Sequence, residues 1–387
     1  MIDFSLPDDS RLLVETVRKF VETEVQPLEE ATEHDARIPP EELKRVKAKA
    51  QELGLYAMNM PEEVGGGGLS CGDHCLVEEE FGKTSDALIR RVFGQVYPML
   101  LACKDEQREK YLLPTVRGEK ICAMAITEPG AGSDAASITT TAERDGEEWV
   151  LKGTKHFISD GDIADYVIVM ALTDKEKRAR GGITLFLVDR GTPGFNVART
   201  QPMMGHRGYG HAELVFDDCR IAASAVLGEV GAGFKLIMQS VLEIRLAHIG
   251  ARAVGMASRA LELMRRYAGE RRQFGQPIGD FQMVQKLIAD SAIEIFAVKM
   301  MVLNAAWEID QGLEPRDKVS MIKVAASEMQ GRVVDRAIQV FGGMGFTKEM
   351  PLERMYRDAR VTRIYDGTSE IHRMLIARST IKNGLNL

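Results

Sequence analysis

The sequence predicts an α+β protein that is mostly α, with a helical domain, a β-domain and a second helical domain in that order. At 387 residues the chain is too long for one ordinary compact core. Apolar residues recur every three or four positions up to about residue 120 and again from about residue 230, and short β-branched runs fill the interval. We therefore predict an N-terminal all-helical domain at 1–120, a middle antiparallel β-barrel or sheet domain at 121–229 and a C-terminal four-helix-bundle domain at 230–387.

Composition and charge are those of an ordinary folded protein and exclude several classes of partner. Hydrophobic residues make up 45% and charged residues 28% of the chain, close to the averages for soluble proteins. The net charge is −7 and no run of like charges marks an arm that binds polyanions, so we expect no nucleic-acid partner. The N-terminal sequence lacks a secretory signal and no apolar stretch is long enough for a membrane span, so we expect a cytoplasmic protein.

The cysteines predict neither disulfides nor a metal site. There are five, an odd number, and none shows the CxxC spacing of a zinc ribbon. Cys71, His74 and Cys75 are three potential ligands in one segment, but no second pair lies elsewhere in the sequence. We therefore expect these three residues to be unligated.

The first domain consists of amphipathic segments separated by a glycine-rich break. SRLLVETVRKFVETEV and PEELKRVKAKAQELGLYAM show the helical apolar period. Gly65 to Gly68 follow Pro61 and cannot sustain a helix. No Lys-Ser or Lys-Thr follows them, so they indicate a turn and not a phosphate-binding loop.

Strand-like runs make up the second domain. They are SITTTAE, EEWVLKG, DYVIVMAL, GITLFLVD, FNVART and AELVFDD. Asp145-Gly146 between two of these runs predicts a hairpin, and the spacing of the turns favours an antiparallel sheet or small barrel.

The third domain returns to the helical period in long segments. Two apolar stripes step by three and four residues, and we predict that both are core. The first contains Ile293, Phe296, Met300, Leu303 and Trp307, and the second contains Ile322, Ala326, Met329 and Val333.

A match to the dinucleotide-binding fingerprint fails on its context. Gly130 to Ala135 fit G-x-G-x-x-A and follow an apolar run. A Rossmann fold needs a helix that begins inside this loop, but Ser137 to Thr141 are largely β-branched and lead into a hairpin. We therefore reject that fold, although the loop can still offer N–H groups and a serine hydroxyl to a phosphate-bearing ligand.

Four separated motifs carry a resemblance to a known family. AMAITEPGAGSDAASITTTAERDG with LKGTKHFISDG resembles the middle domain of the FAD-dependent acyl-CoA dehydrogenases. RDARVTRIYDGTSEIHRMLIAR resembles their C-terminal active-site stretch, and GERRQFGQPIGDFQ and RAIQVFGGMGF are two further matches in the family's order. The resemblance spans essentially the whole chain and implies the same three domains.

This resemblance implies a bound FAD and a set of residues around it. Met124, Ile126 and Thr127 would line the flavin, Ser133 would face phosphate or the CoA chain, and Phe157 with Ser159 would pack at the isoalloxazine edge. Other residues would complete the FAD site, some of them from a neighbouring subunit of a homotetramer: Arg271, Phe274, Gln282, Gln339 and Gly343. Thr368 and Glu370 would contact the adenine-side phosphates or the ribose.

The same resemblance implies the chemistry and its base. In such enzymes a carboxylate removes the α-proton of an acyl thioester, hydride leaves the β-carbon for the flavin, and a backbone N–H at the base position binds the thioester carbonyl. That position is Asp366, followed by Gly367, where the family usually has glutamate. Aspartate is shorter by about 1.5 Å, so either the backbone or substrate sits differently or the chemistry differs. The alternative is that Asp-Gly only makes a turn.

Two further regions offer candidate substrate contacts. Some relatives place the base on a helix of the third domain, at a position that aligns with Arg245, which cannot act as a base. The next position, often arginine in relatives, is Leu246, so we consider that the helix is shifted by one residue here. Glu243 lies close by, and we keep it as a substitute base or a CoA contact. Arg90 and Arg91 either face the acyl pocket, where they would bind a distal substrate carboxylate, or lie on a solvated face.

The predicted function is α,β-dehydrogenation of an acyl-CoA thioester in fatty-acid β-oxidation, with an electron-transfer flavoprotein as electron acceptor. Three alternatives stay open at this point. They are an enoyl-CoA reductase, a flavin oxidase of the nitroalkane-oxidase type, and a homologue that binds acyl-CoA without turnover.

Overall fold

The computed structural model describes residues 5–94 and 96–384 and contains three successive regions in the predicted order. Residues 1–4 and 385–387, the outer ends of the first and third predicted domains, lie outside the described residues. The first region is helical, as predicted. Its α-helices are α1 (Asp8–Phe20), α2 (Glu29–Asp35), α3 (Pro40–Glu52), α4 (Cys71–Phe81), α5 (Asp86–Ile89) and α6 (Leu113–Val116), with π-helical turns at Val21–Val25, Arg90–Gly94 and Arg108–Leu112.

Aromatic packing and caps explain the first region locally. Phe93 stacks on Phe81 with ring centroids 3.8 Å apart and meets Phe20 edge-on at 5.8 Å, which joins three segments in one core. The Ser70 hydroxyl accepts a hydrogen bond from the Asp73 N–H and so caps α4. The glycines from Gly65 form a loop with Gly65 at φ 87, which confirms the predicted turn.

The second region is a sheet, as predicted, but not a wholly antiparallel one. Its strands are β1 (Cys122–Ala125), β2 (Thr141–Asp145), β3 (Glu148–Ser159), β4 (Tyr166–Leu172), β5 (Ile183–Asp189), β6 (Phe195–Thr200), β7 (His211–Ala222) and β8 (Val226–Leu227). They pair in the order β6-β7-β3-β2-β4-β5-β8, and β1 also pairs with β4. β2 and β3 form the hairpin predicted at Asp145-Gly146, whereas β1 and β2 each run parallel to β4.

The loop after β1 contains no α-helix, which confirms the rejection of a Rossmann fold. One short 3₁₀ turn at Ala135–Ser137 lies between β1 and β2. The chain passes from the glycine loop into a strand, so no helix N-terminus meets the loop.

The third region is helical again. It contains α7 (Gly233–Ile244), a π-helical turn at Arg245–Ala251, α8 (Arg252–Glu270), a small hairpin of β9 (Arg272–Gln273) and β10 (Gln276–Pro277), α9 (Gln282–Asp310), α10 (Arg316–Phe341), α11 (Leu352–Val361) and α12 (Ser369–Asn383). Helix α10 packs against α8, α9, α11 and α12 and forms the centre of this region. No described helix has the length and apolar character that crossing a membrane requires.

One of the two predicted core stripes is wrong. The stripe of Ile322, Ala326, Met329 and Val333 on α10 is fully buried, as predicted. On α9, however, Ile293, Phe296 and Trp307 are exposed, and the buried face contains Ile295, Val298, Val302, Ala305 and Ala306. The apolar period of α9 therefore describes an outer face that no other part of the described chain covers.

Polar contacts join the first region to the bundle. The Asp310 carboxylate at the end of α9 accepts from the N–H groups of Cys71 and Gly72 at 2.7 and 2.9 Å. A carboxylate placed at a helix N-terminus satisfies open donors of the first turn and complements the helix dipole. Cys71 and Cys75 themselves are buried, and all five cysteines are unpaired.

Candidate active site

Asp366 lies in the turn between α11 and α12. Its φ is 52° and that of Gly367 is 94°, so two successive residues adopt the left-handed region. The Thr368 hydroxyl caps α12 by accepting from the Ile371 N–H at 3.2 Å, and the Ser369 N–H donates to the Arg363 carbonyl. A Cβ at Gly367 would come within 2.8 Å of the His372 ring. Glycine is therefore needed there both for its positive φ and for its lack of a side chain.

The backbone of Asp366 is held by its carbonyl, and its N–H is left available. Arg245 Nε donates to the Asp366 carbonyl oxygen at 2.9 Å, and His372 Nε2 lies 3.2 Å from the same atom. Burial lowers the pKa of His372 to about 4, so at neutral pH the ring is uncharged and donates from Nε2. Within the described residues no hydrogen bond uses the Asp366 N–H.

The environment of the Asp366 carboxyl favours its neutral form. Desolvation raises the pKa of Asp366 above its ordinary value of 3.8, and this effect outweighs the opposing cations Arg245, Lys323 and Arg90. A carboxylate with a raised pKa is a stronger base than a solvated aspartate.

Lys323 is a buried cation near this carboxyl. Its side chain, on α10, is 0% exposed, and its Nζ has no hydrogen-bond partner among the described residues. Burial lowers the pKa of Lys323 to about 8, with Asp366 the largest opposing influence.

The helix that carries Arg245 contains an extra residue. The π-helical turn at Arg245–Ala251 is wider than an α-helical turn, and such turns occur frequently at functional sites. It places Arg245 on the Asp366 carbonyl and leaves Leu246 fully buried. The one-residue shift considered from the sequence stays a prediction. Glu243, two residues earlier, is exposed, and no hydrogen bond among the described residues joins it to Asp366.

A buried ion pair fixes the loop after β1. Lys155 Nζ donates to Glu128 Oε1 at 2.8 Å and to the Ile126 carbonyl at 3.0 Å, and the Lys155 side chain is 0% exposed. Glu128 also accepts from the N–H and hydroxyl of Thr139 and from the Thr140 N–H at 2.7 to 3.0 Å. Lys155 lowers the pKa of Glu128 to about 2. The pair therefore ties both ends of the loop to β3.

The candidate flavin residues of the middle domain lie at the end of β1, along this fixed loop and at the adjacent bulge of β3. Met124, Ile126 and Thr127 are half-buried, and Ser133 is exposed beyond them. Phe157 lies where the register of β3 against β7 shifts, with φ 59 and 51% of its surface exposed. Ser159 lies 3.2 Å from His211 Nδ1. β-Bulges that turn a side chain outward are common beside binding sites.

The second set of candidate FAD residues lies at one end of the bundle. Arg271 follows α8, Phe274 occupies the β9–β10 turn, and Gln282 begins α9. Phe274 is 93% exposed although its φ of 53° is unfavourable for a bulky residue. Tyr267 of α8 stacks on Phe341 at 4.1 Å, which brings the exposed Gln339 and Gly343 beside the end of α8. Thr368 and Glu370 lie apart from this set, next to Asp366.

Arg90 and Arg91 do not lie on a solvated face. Both side chains are buried and both pair with Asp160, Arg90 at 3.0 Å. The Arg90 guanidinium also lies over the Tyr209 ring, 4.9 Å from its centroid. Binding of a substrate carboxylate by these arginines stays a prediction, and it would have to compete with Asp160.

Beside Tyr365 lies a polar cluster that the sequence does not reveal. Arg252 Nε and Nη2 donate to the Glu78 carboxylate, and Nη1 donates to Asp86 at 2.9 Å. His74 and His248 lie 3.4 and 3.3 Å from the same Glu78 oxygen. His74 thus faces Glu78 and His248, and not Cys71 and Cys75, with which it was grouped in the sequence.

Comparison with known proteins agrees with this arrangement. The models for the acyl-CoA dehydrogenase N-terminal, middle and C-terminal domains match residues 7–119, 123–219 and 231–381. The chain is 39% identical to the acryloyl-CoA reductase (NADH) of Anaerotignum propionicum, covering 98% of this chain and 96% of the relative. It is 38% identical to the human mitochondrial short-chain specific acyl-CoA dehydrogenase, covering 98% and 91%.

The chain belongs to the acyl-CoA dehydrogenase family. The butyryl-CoA dehydrogenase of Megasphaera elsdenii has the same fold, with a TM-score of 0.89, 32% identity and coverage of 98% of this chain and 100% of that one. The predicted fold class and family are thus confirmed, and the protein is an oxidoreductase of the acyl-CoA dehydrogenase class. The domain boundaries and the roles of the individual site residues stay predictions.

Sequence reasoning missed several residues that shape this acyl-CoA dehydrogenase site. Glu128 and Lys155 lie inside the quoted motifs, but nothing local indicates that they pair across 27 positions. Lys323 gave a usable signal, because it interrupts an apolar helical stripe directly after Ile322. Asp160 and His372 gave none.

Proposed function

We propose that this protein is an FAD-dependent enzyme that dehydrogenates an acyl-CoA thioester between its α- and β-carbons, with Asp366 as the base. The observation that supports it is the turn at 365–368, which combines an available N–H with a partly desolvated carboxyl of raised pKa. A turn with no chemical role would have no need to bury a carboxylate next to two cations.

The residues around the proposed cofactor site fit a flat aromatic ligand with a pyrophosphate. Phe157 and Phe274 both expose aromatic rings from backbone of positive φ, an arrangement that stores strain without burying apolar surface. Gly130 and Gly132 have open space where a Cβ would be, so a phosphate could approach their N–H groups. Arg271 offers an exposed guanidinium for the pyrophosphate. When bound, FAD would accept the hydride that leaves the substrate.

The chain's own groups divide the remaining chemistry. The Asp366 N–H would donate to the thioester oxygen as negative charge develops there, and its fixed carbonyl keeps that N–H in place. The carboxyl would take the α-proton, helped by the desolvation that raises its pKa. Arg245 and Lys323 would limit that rise and so keep enough carboxylate ionised at neutral pH.

The reverse direction is a second candidate. The 39% identical relative is named an acryloyl-CoA reductase, so the same fold serves reduction of an enoyl thioester. In that direction Asp366 would deliver a proton to the α-carbon, which a raised pKa equally favours. An electron-transfer flavoprotein as the electron partner follows from the family resemblance and stays a prediction, as does a cytoplasmic location.

We propose further that the outer face of α9 is a subunit interface of a homo-oligomer, with a tetramer expected from the resemblance. Ile293, Phe296 and Trp307 on α9 are exposed, as is Met283 at its start. Several large exposed apolar side chains along one helix are typical of an interface. Sedimentation of the purified protein would test it, since a monomer at micromolar concentration contradicts the proposal.

The deciding experiment is anaerobic reduction of the enzyme-bound flavin by acyl-CoA thioesters. We expect Asp366→Asn to retain the yellow cofactor but to lose bleaching by at least about a thousandfold in rate, because the amide cannot accept the α-proton. Asp335→Asn, an exposed position on α10, serves as the matched control and should bleach normally. Bleaching of Asp366→Asn at a near-normal rate would contradict the assignment of the base.

A further inference from the structure

A small cavity with both apolar and polar lining lies directly behind Tyr365, the residue before the proposed base. Its volume is about 30 Å³, and the residues that line it include Asp86 and Ile89 of α5, His248 of the π-helical turn, Gln330 of α10, and Tyr365. The family resemblance implies that the segment containing Arg90 helps to wall the acyl pocket, and α5 is the start of that segment. This volume holds about two water molecules, or a group of two heavy atoms.

Two side chains that line this cavity each carry a hydrogen-bonding atom with no partner. His248 Nδ1 and Gln330 Oε1 are buried, and neither makes a hydrogen bond within the described part of the chain. Gln330 is 3% exposed, and its Nε2 faces the Met256 sulfur at 2.7 Å. Buried polar atoms are almost always hydrogen-bonded because an unpaired one is costly, so two such atoms at one cavity indicate that a hydrogen-bonding group binds there.

Both unpartnered atoms are acceptors. His248 Nε2 faces a carboxylate oxygen of Glu78 at 3.3 Å, which favours the tautomer that carries the proton on Nε2. Desolvation lowers the pKa of His248 to about 3, so the ring is neutral and its Nδ1 presents a lone pair. Because Gln330 uses its Nε2 toward Met256, its free atom is the carbonyl oxygen. The cavity therefore complements a hydrogen-bond donor.

The charges around the cavity disfavour an anionic ligand. All the hydrogen bonds of Arg252 go to Glu78 and Asp86, so this guanidinium is already neutralised. Asp86 also accepts from the Tyr209 hydroxyl at 2.6 Å, and Asp358 accepts from the His206 N–H at 2.7 Å. A carboxylate at the end of an acyl chain would meet two carboxylates and two lone pairs and find no open cation.

We propose that this enzyme prefers a short acyl group that ends in a hydroxyl, with His248 and Gln330 as the residues that determine this specificity. A terminal CH₂–OH has the two heavy atoms that the cavity admits, and its proton satisfies one acceptor directly. An alkyl chain of the same length would leave both acceptors buried and unpaired. The inference rests on the proposed function, since it assigns the cavity to the acyl end of that substrate.

The test compares thioesters of matched size. 4-Hydroxybutyryl-CoA and pentanoyl-CoA have the same number of heavy atoms, as do 5-hydroxypentanoyl-CoA and hexanoyl-CoA, and glutaryl-CoA supplies the carboxylate. For at least one pair we expect kcat/KM of the holoenzyme to be about tenfold higher for the hydroxyl form. Gln330→Met should reduce that ratio severalfold, chiefly by lowering kcat/KM for the hydroxyl form. Gln311→Met, exposed just after α9, is the control variant and should keep the wild-type ratio.

The failure of this inference can be told apart from the failure of the proposed function. If the alkyl thioesters are preferred, or if Gln330→Met leaves the ratio unchanged, the specificity proposal is overturned although the enzyme dehydrogenates acyl-CoA. If no thioester bleaches the flavin, calorimetric binding to the Asp366→Asn holoenzyme decides, and equal dissociation constants for the paired thioesters overturn it. Should Gln330→Met fail to fold, Gln330→Asn withdraws the same amide by one methylene and is measured instead.

Discussion

Two lysines, one in the sheet and one in the bundle, are equally buried but differ in their partners. Lys155 and Lys323 are both 0% exposed, and burial lowers the pKa of each to about 8. Lys155 donates to Glu128 and to the Ile126 carbonyl, whereas Lys323 Nζ makes no hydrogen bond to any described residue. The sheet lysine therefore completes a structural anchor, and the bundle lysine places a charge without hydrogen bonds next to the proposed base.

The contrast shows that burial alone does not give a charged residue its role. A buried ion pair is costly to break, because removing one partner leaves the other charge desolvated. A buried charge without a partner is costly to keep, and proteins tolerate such a cost mainly at functional sites. The same substitution, lysine to methionine, should therefore have opposite effects on stability at the two positions.

The largest effect is expected at the anchor. Lys155→Met should lower the free energy of unfolding by about 3 kcal/mol, because it leaves the Glu128 carboxylate buried without its cation. The thermal unfolding midpoint of the holoenzyme would measure it, together with the flavin retained on purification, since the loop of Ile126 and Thr127 loses its tie to β3. An unchanged midpoint would show that the Thr139 and Thr140 donors suffice for Glu128.

A smaller effect of opposite sign is expected in the bundle. Lys323→Met should raise the free energy of unfolding at pH 7 by about 2 kcal/mol, because it removes a charge whose pKa falls from 10.5 unfolded to about 8 folded. The unfolded state binds more protons between those two values, so the penalty on the wild type is full below pH 8 and disappears toward pH 10.5. Unfolding midpoints of both proteins from pH 7 to 10 should therefore converge. A gain that does not depend on pH would show that the effect is packing.

The smallest effect is expected on the pH dependence of turnover. Lys323 lowers the pKa of Asp366, so Lys323→Met should move the acid limb of the kcat/KM profile to higher pH, by less than about one unit. Lys318→Met, five residues earlier on α10, removes an ammonium that bonds to Glu308 and Asn304; it is the matched control and should leave the limb in place. A limb that stays fixed in Lys323→Met would remove this lysine from the electrostatics of the base.

The sequence predicted what short motifs and periodicity can encode. The order of the three regions, the hairpin at Asp145-Gly146 and the absence of a Rossmann helix were all correct. The family could be recognised because its motifs are local runs of residues, and those runs contain Asp366, Phe157 and Arg271. Identifying these residues as candidates required no knowledge of long-range contacts.

The sequence could not predict which distant residues pair with each other, or which surface packs against an apolar helix face. The period of Ile293, Phe296 and Trp307 indicates that some surface covers them, but it does not say whether that surface is within the same chain. Glu128 and Lys155, like Arg90 and Asp160, are far apart in the sequence and meet only in the folded chain. The π-helical turn at Arg245–Ala251 has no signal in the apolar period of the sequence.

The π-helical turn links the Asp366 backbone to the Glu78 cluster, and both contacts depend on the number of residues in the turn. Arg245 at its start reaches the Asp366 carbonyl, and His248 within it and Arg252 just after it reach Glu78. An α-helix advances about 100° per residue, so loss of one residue between Arg245 and Arg252 would swing one of these groups about a quarter-turn away from its partner. The spacing of seven residues therefore sets both contacts at once, and deletion of one residue that lines neither site, such as Ala247, would uncouple the Asp366 backbone from the cavity behind Tyr365.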